Sequence, residues 1–319
     1  MRLAVLIGCT LVGCAVAVLA ADPASATDPV VAQATALARD KALKAEAVDW
    51  ATVEREAQAL ASAEPGEAGR TAAIRYVLKA LGDGHSSYRP PQALPSAESP
   101  KPAPEKARRP IAESATGARF GRLIVNAWTG PSEAVPAATG VVRDALVQSL
   151  AVDRCGLIVD VSSNHGGNMW PMMGGIAPLY DEGTLETFEN RAGMRQRVNV
   201  RGGVLHMNES AFPRLENLIP LAHKPAYVAI VLGRRTASSG EILALGFKGQ
   251  RNVRFFGRPT AGATTANASL RLENGGLLAL TTSWILDRGD RAHHGPVLPD
   301  QETDDAVVTA EAWLAERCR

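Results

Sequence analysis

Cysteine is scarce: four occur in 319 residues, and no two form a C-x-x-C pair. That excludes a small disulfide scaffold and removes the usual zinc signature. A charge excess of one sign is lacking too. Lys plus Arg number 34 against 33 Asp plus Glu, a formal net charge of +1. A nucleic-acid binder relying on a strong basic field is therefore not expected, nor is an acidic-tail protein. The six histidines (85, 165, 206, 223, 293 and 294) form no H-E-x-x-H and no metal-spaced pair, so neither a metal nor a cofactor is expected. What is present is 46% hydrophobic residues, ordinary for a globular chain and too rich for general disorder. The length allows one large domain or two smaller ones.

Residues 1–26 read as an address rather than as fold. Arg2 precedes an apolar run from Leu3 to Ala21, and Ala24-Ser25-Ala26 supplies a small-residue cleavage site. This is the pattern of a secretory signal peptide, with an uncleaved anchor as the competing reading. Leu11-Val12-Gly13-Cys14 also looks like a lipobox that would place a lipid on Cys14. Removing the segment takes away Arg2 and Asp22, so the charge stays at +1. It leaves Cys155 and Cys318. Export implies an oxidising compartment, where the two would pair; otherwise one is a buried thiol and the other a terminal one.

The rest of the chain has three parts. Residues 28–88 carry apolar positions at helical spacing, such as Val30, Val31, Ala34, Leu37 and Ala38, and read as a small helical N-terminal subdomain. Residues 89–118 hold seven prolines and read as an extended linker. Residues 119–319 change grammar to strand, helix, strand. Cys155–Val161 and Ala226–Leu232 are continuous apolar runs, as for buried strands. Leu270–Leu272 and Leu277–Trp284 flank Asn274-Gly275-Gly276, a hairpin signal. The fold class is α/β.

Three loops concentrate reactive side chains. Ser238 stands where a buried strand turns into a helix, where amides favour developing negative charge. As a nucleophile it needs a base; Thr236, Ser238 and Ser239 are also ordinary helix caps. Asn164-His165-Gly166-Gly167 can expose consecutive amides to an oxyanion, or be only a turn. His85, between Gly84 and Ser86, offers a group that titrates near neutrality, or a plain surface residue.

Together these loops resemble the tail-specific, C-terminal-processing serine peptidase family, in particular its tricorn-core and interphotoreceptor-retinoid-binding-like branch. The likeness covers roughly residues 45–300 and includes Val48-Asp49-Trp50, Leu81 to Ser86, Ile158-Val159-Asp160, Asn164 to Met172, Thr236 to Glu241, Gly257 to Gly262 and Pro299-Asp300. The resemblance implies a crotonase-like ββα spiral core and peptide-bond hydrolysis through an acyl-enzyme. It places the nucleophile on Ser238 and the oxyanion hole on amides of Gly166 or Gly167 and of Ser239. Where the serine–lysine branch has its lysine, this chain has Ala263; Lys248 reads as solvated. The branch with a histidine base matches His85. Its late glutamate has its nearest equivalent around His293. Glu241, three residues after Ser238, is the candidate third member, with Asp287 and Asp290 behind it. The usual Leu-Arg-Gly-Asn turn reads Val161-Ser162-Ser163-Asn164 and loses an arginine.

The expected protein is thus an exported, periplasmic or secreted serine peptidase acting on a peptide or protein. Two alternatives stand beside it. One is a catalytically silent relative that binds a peptide or small ligand. The other is an esterase that would use His293 or His294.

Overall fold

The computed structural model describes residues 27–91, 109–115, 119–153, 155–211 and 219–319. The expected leader, with Cys14, lies outside these residues, as does most of the proline-rich stretch.

The chain opens with three helices, α1 (Pro29–Lys41), α2 (Trp50–Ala63) and α3 (Glu67–Ala80). Asp28 starts α1, its Oδ1 accepting from the amides of Val30 and Val31 at 3.0 and 3.1 Å; Arg70 of α3 donates to its other oxygen at 2.7 Å. Asp49 caps α2 through the Thr52 amide. The buried stripe Val31, Ala34, Ala38 meets Ala57 of α2 and Ile74 and Val77 of α3. This core does not close on itself. It is completed by Tyr88 and by Leu272, Leu278 and Leu280 from far along the chain.

Tyr88, Leu278 and Leu280 belong to an antiparallel sheet, and Leu272 follows directly on one of its strands. Its strands run in the order β1 (Ser87–Arg89), β12 (Leu277–Asp287), β5 (Gly183–Asn190), β6 (Arg195–Arg201), β7 (Val204–Met207), β8 (Ser210–Ala211), with β11 (Thr265–Arg271) also paired to β12. β1 lies against β12 with Tyr88 opposite Leu278. Arg191, in the β5–β6 turn, donates to the carbonyls of Asp40 and Ala42 at the end of α1, a cation where a helix leaves its carbonyls free.

The second sheet has the order β13 (Gln301–Glu302), β10 (Val253–Gly257), β9 (Tyr227–Leu232), β4 (Gly156–Asp160), β3 (Gly121–Val125), β2 (Ala112–Ala115). All its pairings are parallel except β2 with β3. β4 up to Asp160 and β9 after Tyr227 are apolar because both faces are covered. Leu157, Val159, Val228 and Ile230 face α4 (Val135–Leu150), α5 (Met169–Ile176) and α6 (Ser239–Leu245). Ile158, Ala229 and Val231 face Phe256, Trp313 and Leu314, the last two on α7 (Ala306–Arg317). Cys318, at the end of α7, is joined by a disulfide to Cys155 at the entrance to β4; their Cα atoms are 5.8 Å apart.

The architecture is mixed α/β. Two features differ from the sequence expectation. Strands β5 to β8 were not anticipated, and Ala112–Ala115, inside the expected linker, is an edge strand. It follows the last proline of the stretch, Pro110, whose carbonyl accepts from the Asn126 side chain at 2.9 Å. Ile111 and Ala112 are buried there.

Candidate active site

Ser238 is set by the join between β9 and α6. Thr236 locks the turn from within: its hydroxyl donates to the Val161 carbonyl at 2.8 Å and accepts from the Gly233 amide at 3.0 Å. Ser238 then takes φ 52° and ψ −121°, a left-handed backbone that side chains rarely adopt. Such a conformation persists where neighbours over-determine it. Here the Ala237 amide donates to the Asn164 carbonyl at 3.0 Å, and the Ser238 amide to Glu241 Oε2 at 2.9 Å.

Glu241 is fully buried and takes two further donors on Oε1, the Thr260 hydroxyl and the Gly262 amide. Burial pushes its carboxyl up, against the pull of these hydrogen bonds. Expected as support for the base, Glu241 instead fixes the backbone of Ser238. The reason is geometric: from the first turn of α6 the carboxylate folds back onto the amide of the capping residue.

His85 is held by its own loop. Asp83 Oδ1 accepts from the amides of His85 and Ser86 at 2.9 and 2.8 Å. The Ser86 hydroxyl donates to Asp83 and accepts from the Thr281 amide of β12. Asn267 of β11 donates to the His85 carbonyl at 3.0 Å. The ring bridges two hydroxyls: Nε2 is 2.9 Å from Ser238 Oγ and Nδ1 is 2.8 Å from Thr265 Oγ1. With its proton on Nδ1, donated to Thr265, the imidazole leaves Nε2 free to accept from Ser238. Burial lowers the His85 pKa, opposed by the nearby Asp83. Burial thus favours the neutral ring, the form that can accept a proton. A cavity of about 400 Å³ opens beside it, walled by Leu43, Lys44, Trp284 and His294 among others.

Nothing in the sequence marks Thr265. It lies two positions after Ala263, and no motif marks a neutral acceptor. The acidic candidates pair elsewhere, and His293, though it lines the same cavity, does not meet the His85 ring. The His293 ring is 3.4 Å from Asp287 Oδ2, Asp287 also takes the amides of Gly289 and Arg291, and Asp290 is 3.6 Å from Arg195. Lys248 packs its ammonium 4.6 Å from the centre of the Phe255 ring.

The glycine pair divides its tasks. The Gly166 amide donates to Asn164 Oδ1 at 2.9 Å, which removes Gly166 from the expected oxyanion donors. An Asn two residues upstream closes this local turn. Trp128 flanks the next residue as a one-residue parallel bridge: its amide donates to the Gly166 carbonyl at 3.2 Å, and its carbonyl accepts from the Asn168 amide at 2.7 Å. In a trans peptide C=O and N–H point oppositely. The Gly167 amide therefore points away from Trp128, with no acceptor among the described residues. Only glycine fits here: φ is 112°, and a Cβ would lie 2.1 Å from the Trp128 carbonyl oxygen. The Ser239 amide opens α6 and has no acceptor within the helix. It lies on the same side, 3.2 Å from where a Cβ on Gly166 would sit.

The family model of peptidase family S41 matches residues 120–303. The chain belongs to this family. The nisin-resistance protein of Lactococcus lactis subsp. lactis is 33% identical over 165 residues, 51% of this chain and 51% of that protein. The match thus spans about half the length of that curated relative. A solved structure of a lipoprotein from Streptococcus agalactiae superposes with a TM-score of 0.73 at 23% identity, covering 95% of this chain and 100% of that one. The photosystem II D1 C-terminal processing protease superposes with a TM-score of 0.56 at 15% identity, covering 91% and 96%. These likenesses show a shared fold with S41 proteases, and membership of the family supports a peptidase.

Proposed function

We propose that the protein is a serine peptidase in which Ser238 is the nucleophile and His85 the general base. The carrying observation is the 2.9 Å separation of Ser238 Oγ and His85 Nε2. Ser238 Oγ attacks the substrate carbonyl carbon while its proton passes to His85. The oxyanion sits on the amides of Gly167 and Ser239. Collapse breaks the C–N bond, the amine leaves with the proton from His85, and the acyl group stays on Ser238 as an ester. Water, deprotonated by His85, releases it. Glu241 positions the nucleophile and Thr265 the base. The core on which this is built is, in this reading, the crotonase-like ββα spiral of the histidine-using branch, preceded by a helical subdomain and a proline-rich linker.

The substrate is a peptide or protein. The name of the Lactococcus relative makes nisin one substrate to test. An exported location, by signal peptide or by a lipid on Cys14, is supported by the Cys155–Cys318 bond, since such bonds persist in oxidising compartments, and by the lipoprotein among the structural relatives. Among the described residues no helix is long and apolar enough to cross a membrane.

Labelling by a fluorophosphonate tests the reading. The wild type is expected to label and to cleave peptides, and Ser238→Ala to do neither. Equal labelling of both would overturn it, and a silent ligand-binding relative would leave Ser238 unlabelled.

A further inference from the structure

We propose that the side-chain hydroxyl of Ser239 is a positioning group for the oxyanion site: by holding the Gly167 carbonyl it restricts the torsions of Gly167, and through them the direction of its amide. The proposal rests on the peptidase reading above.

Ser239 is buried, and its Oγ donates to the Gly167 carbonyl oxygen at 2.5 Å. This contact adds an anchor on the face of the turn opposite Trp128. The peptide between Gly166 and Gly167 is held at its carbonyl by the Trp128 amide. The next peptide, between Gly167 and Asn168, is held at its N–H by the Trp128 carbonyl. Both anchors lie on the Trp128 side. On the opposite side the Gly167 amide must stay unpaired to receive the oxyanion, so the Gly167 carbonyl is the only backbone group there that can be tied down. Glycine makes the tie necessary, because without a Cβ its φ and ψ resist little. The tie comes from the residue whose own amide is the second donor. One residue thus sets the spacing between the two donors, through its main chain on one side and its hydroxyl on the other. The sub-ångström placement that oxyanion stabilisation requires is thereby built into α6.

The consequence separates Ser239 from a residue that merely packs. Losing its hydroxyl leaves ground-state binding alone and weakens the site only where negative charge develops. Ser239→Ala is expected to lower kcat about 10- to 100-fold with KM unchanged. It should raise the inhibition constant of a peptide aldehyde, which places an oxyanion in the same site, by the same factor. Ser239→Thr, which keeps the hydroxyl, is expected to recover most of both. If the alanine variant does not fold, Ser239→Cys, nearly isosteric but a weak donor, carries the same expectation. A folded Ala or Cys variant with wild-type kcat and aldehyde affinity would overturn the proposal, as would a rise in KM with kcat intact. Ser238→Ala separates this failure from failure of the peptidase reading. If Ser238→Ala is inactive while Ser239→Ala is normal, only the positioning role is lost. If Ser238→Ala retains activity, the peptidase reading falls and the positioning role with it.

Discussion

The imidazole of His85 lies 2.9 Å from the hydroxyl of Ser238, although 153 residues separate the two in sequence. The other ring nitrogen meets Thr265, not a carboxylate. A base oriented by a neutral hydroxyl and partly removed from water has a definite pH behaviour.

Burial lowers the pKa of His85 from its ordinary value of 6.5, and only the neutral ring can accept the proton of Ser238. Activity should therefore persist as pH falls past that ordinary value and drop only below it. The acid limb of kcat/KM against pH measures this; an inflection at or above about 6.5 would contradict it. Stability has the same sign. The unfolded chain binds this proton more readily, so acid weakens the fold through His85, in a window that opens below about 6.5.

Thr265→Val removes the acceptor of the His85 Nδ1 proton and keeps the shape. The ring is then free to turn or to change tautomer. A fall in kcat of about 10- to 100-fold is expected, with a near-normal melting temperature. Thr265→Ser should behave almost as wild type. Steady-state kinetics of the pair distinguishes loss of the hydroxyl from loss of packing.

Glu241→Ala leaves three donors without their acceptor: the amides of Ser238 and Gly262 and the hydroxyl of Thr260. A destabilisation of about 3 kcal/mol or more is expected, together with loss of fluorophosphonate labelling as the Ser238 backbone relaxes. Glu241→Gln turns a donor toward one of these donors and should lose activity while remaining folded. Urea melts and labelling rates read both.

The disulfide closes a chain separation of 163 residues and ties α7 to the start of β4. Reduction, or the Cys155→Ser and Cys318→Ser pair, should cost about 2–5 kcal/mol. Neither cysteine touches the site, so kcat at 25 °C should change little. Thermal melts with and without reductant, beside an activity assay, test this.

The elements legible in the sequence are those whose burial is simple. α1 to α3 show an apolar stripe because one face of each is buried, and β4 and β9 read as apolar runs because both faces are. β5 to β8 were hidden because their inward positions are partly polar. Glu186 and Thr187 of β5 are both fully buried, which erases the alternation that would have marked a strand. At the site, residue type leaves Ser238 an ordinary cap and His85 a plain surface residue as alternatives; the resemblance to the peptidase family is what singles both out. Neither marks Thr265, since its role exists only once β11 passes beneath the ring. Which of Gly166 and Gly167 keeps a free amide depends on Asn164 and Trp128, and a Gly-Gly pair carries no trace of that.

His85 hangs between Leu81 and Tyr88, both buried in the cluster that the helices share with β11 and β12. Ser238 opens α6, whose Ile242 and Leu243 belong to the other large cluster, under the parallel sheet. The proposed base and nucleophile are thus rooted in separate clusters, and the pair meets along the seam between them. Hydrolysis would then serve as a gauge of how those two clusters, which β12 links through Leu280 and Ile285, sit against one another. A change at the seam of less than an ångström could silence the protein while every helix and strand stayed folded.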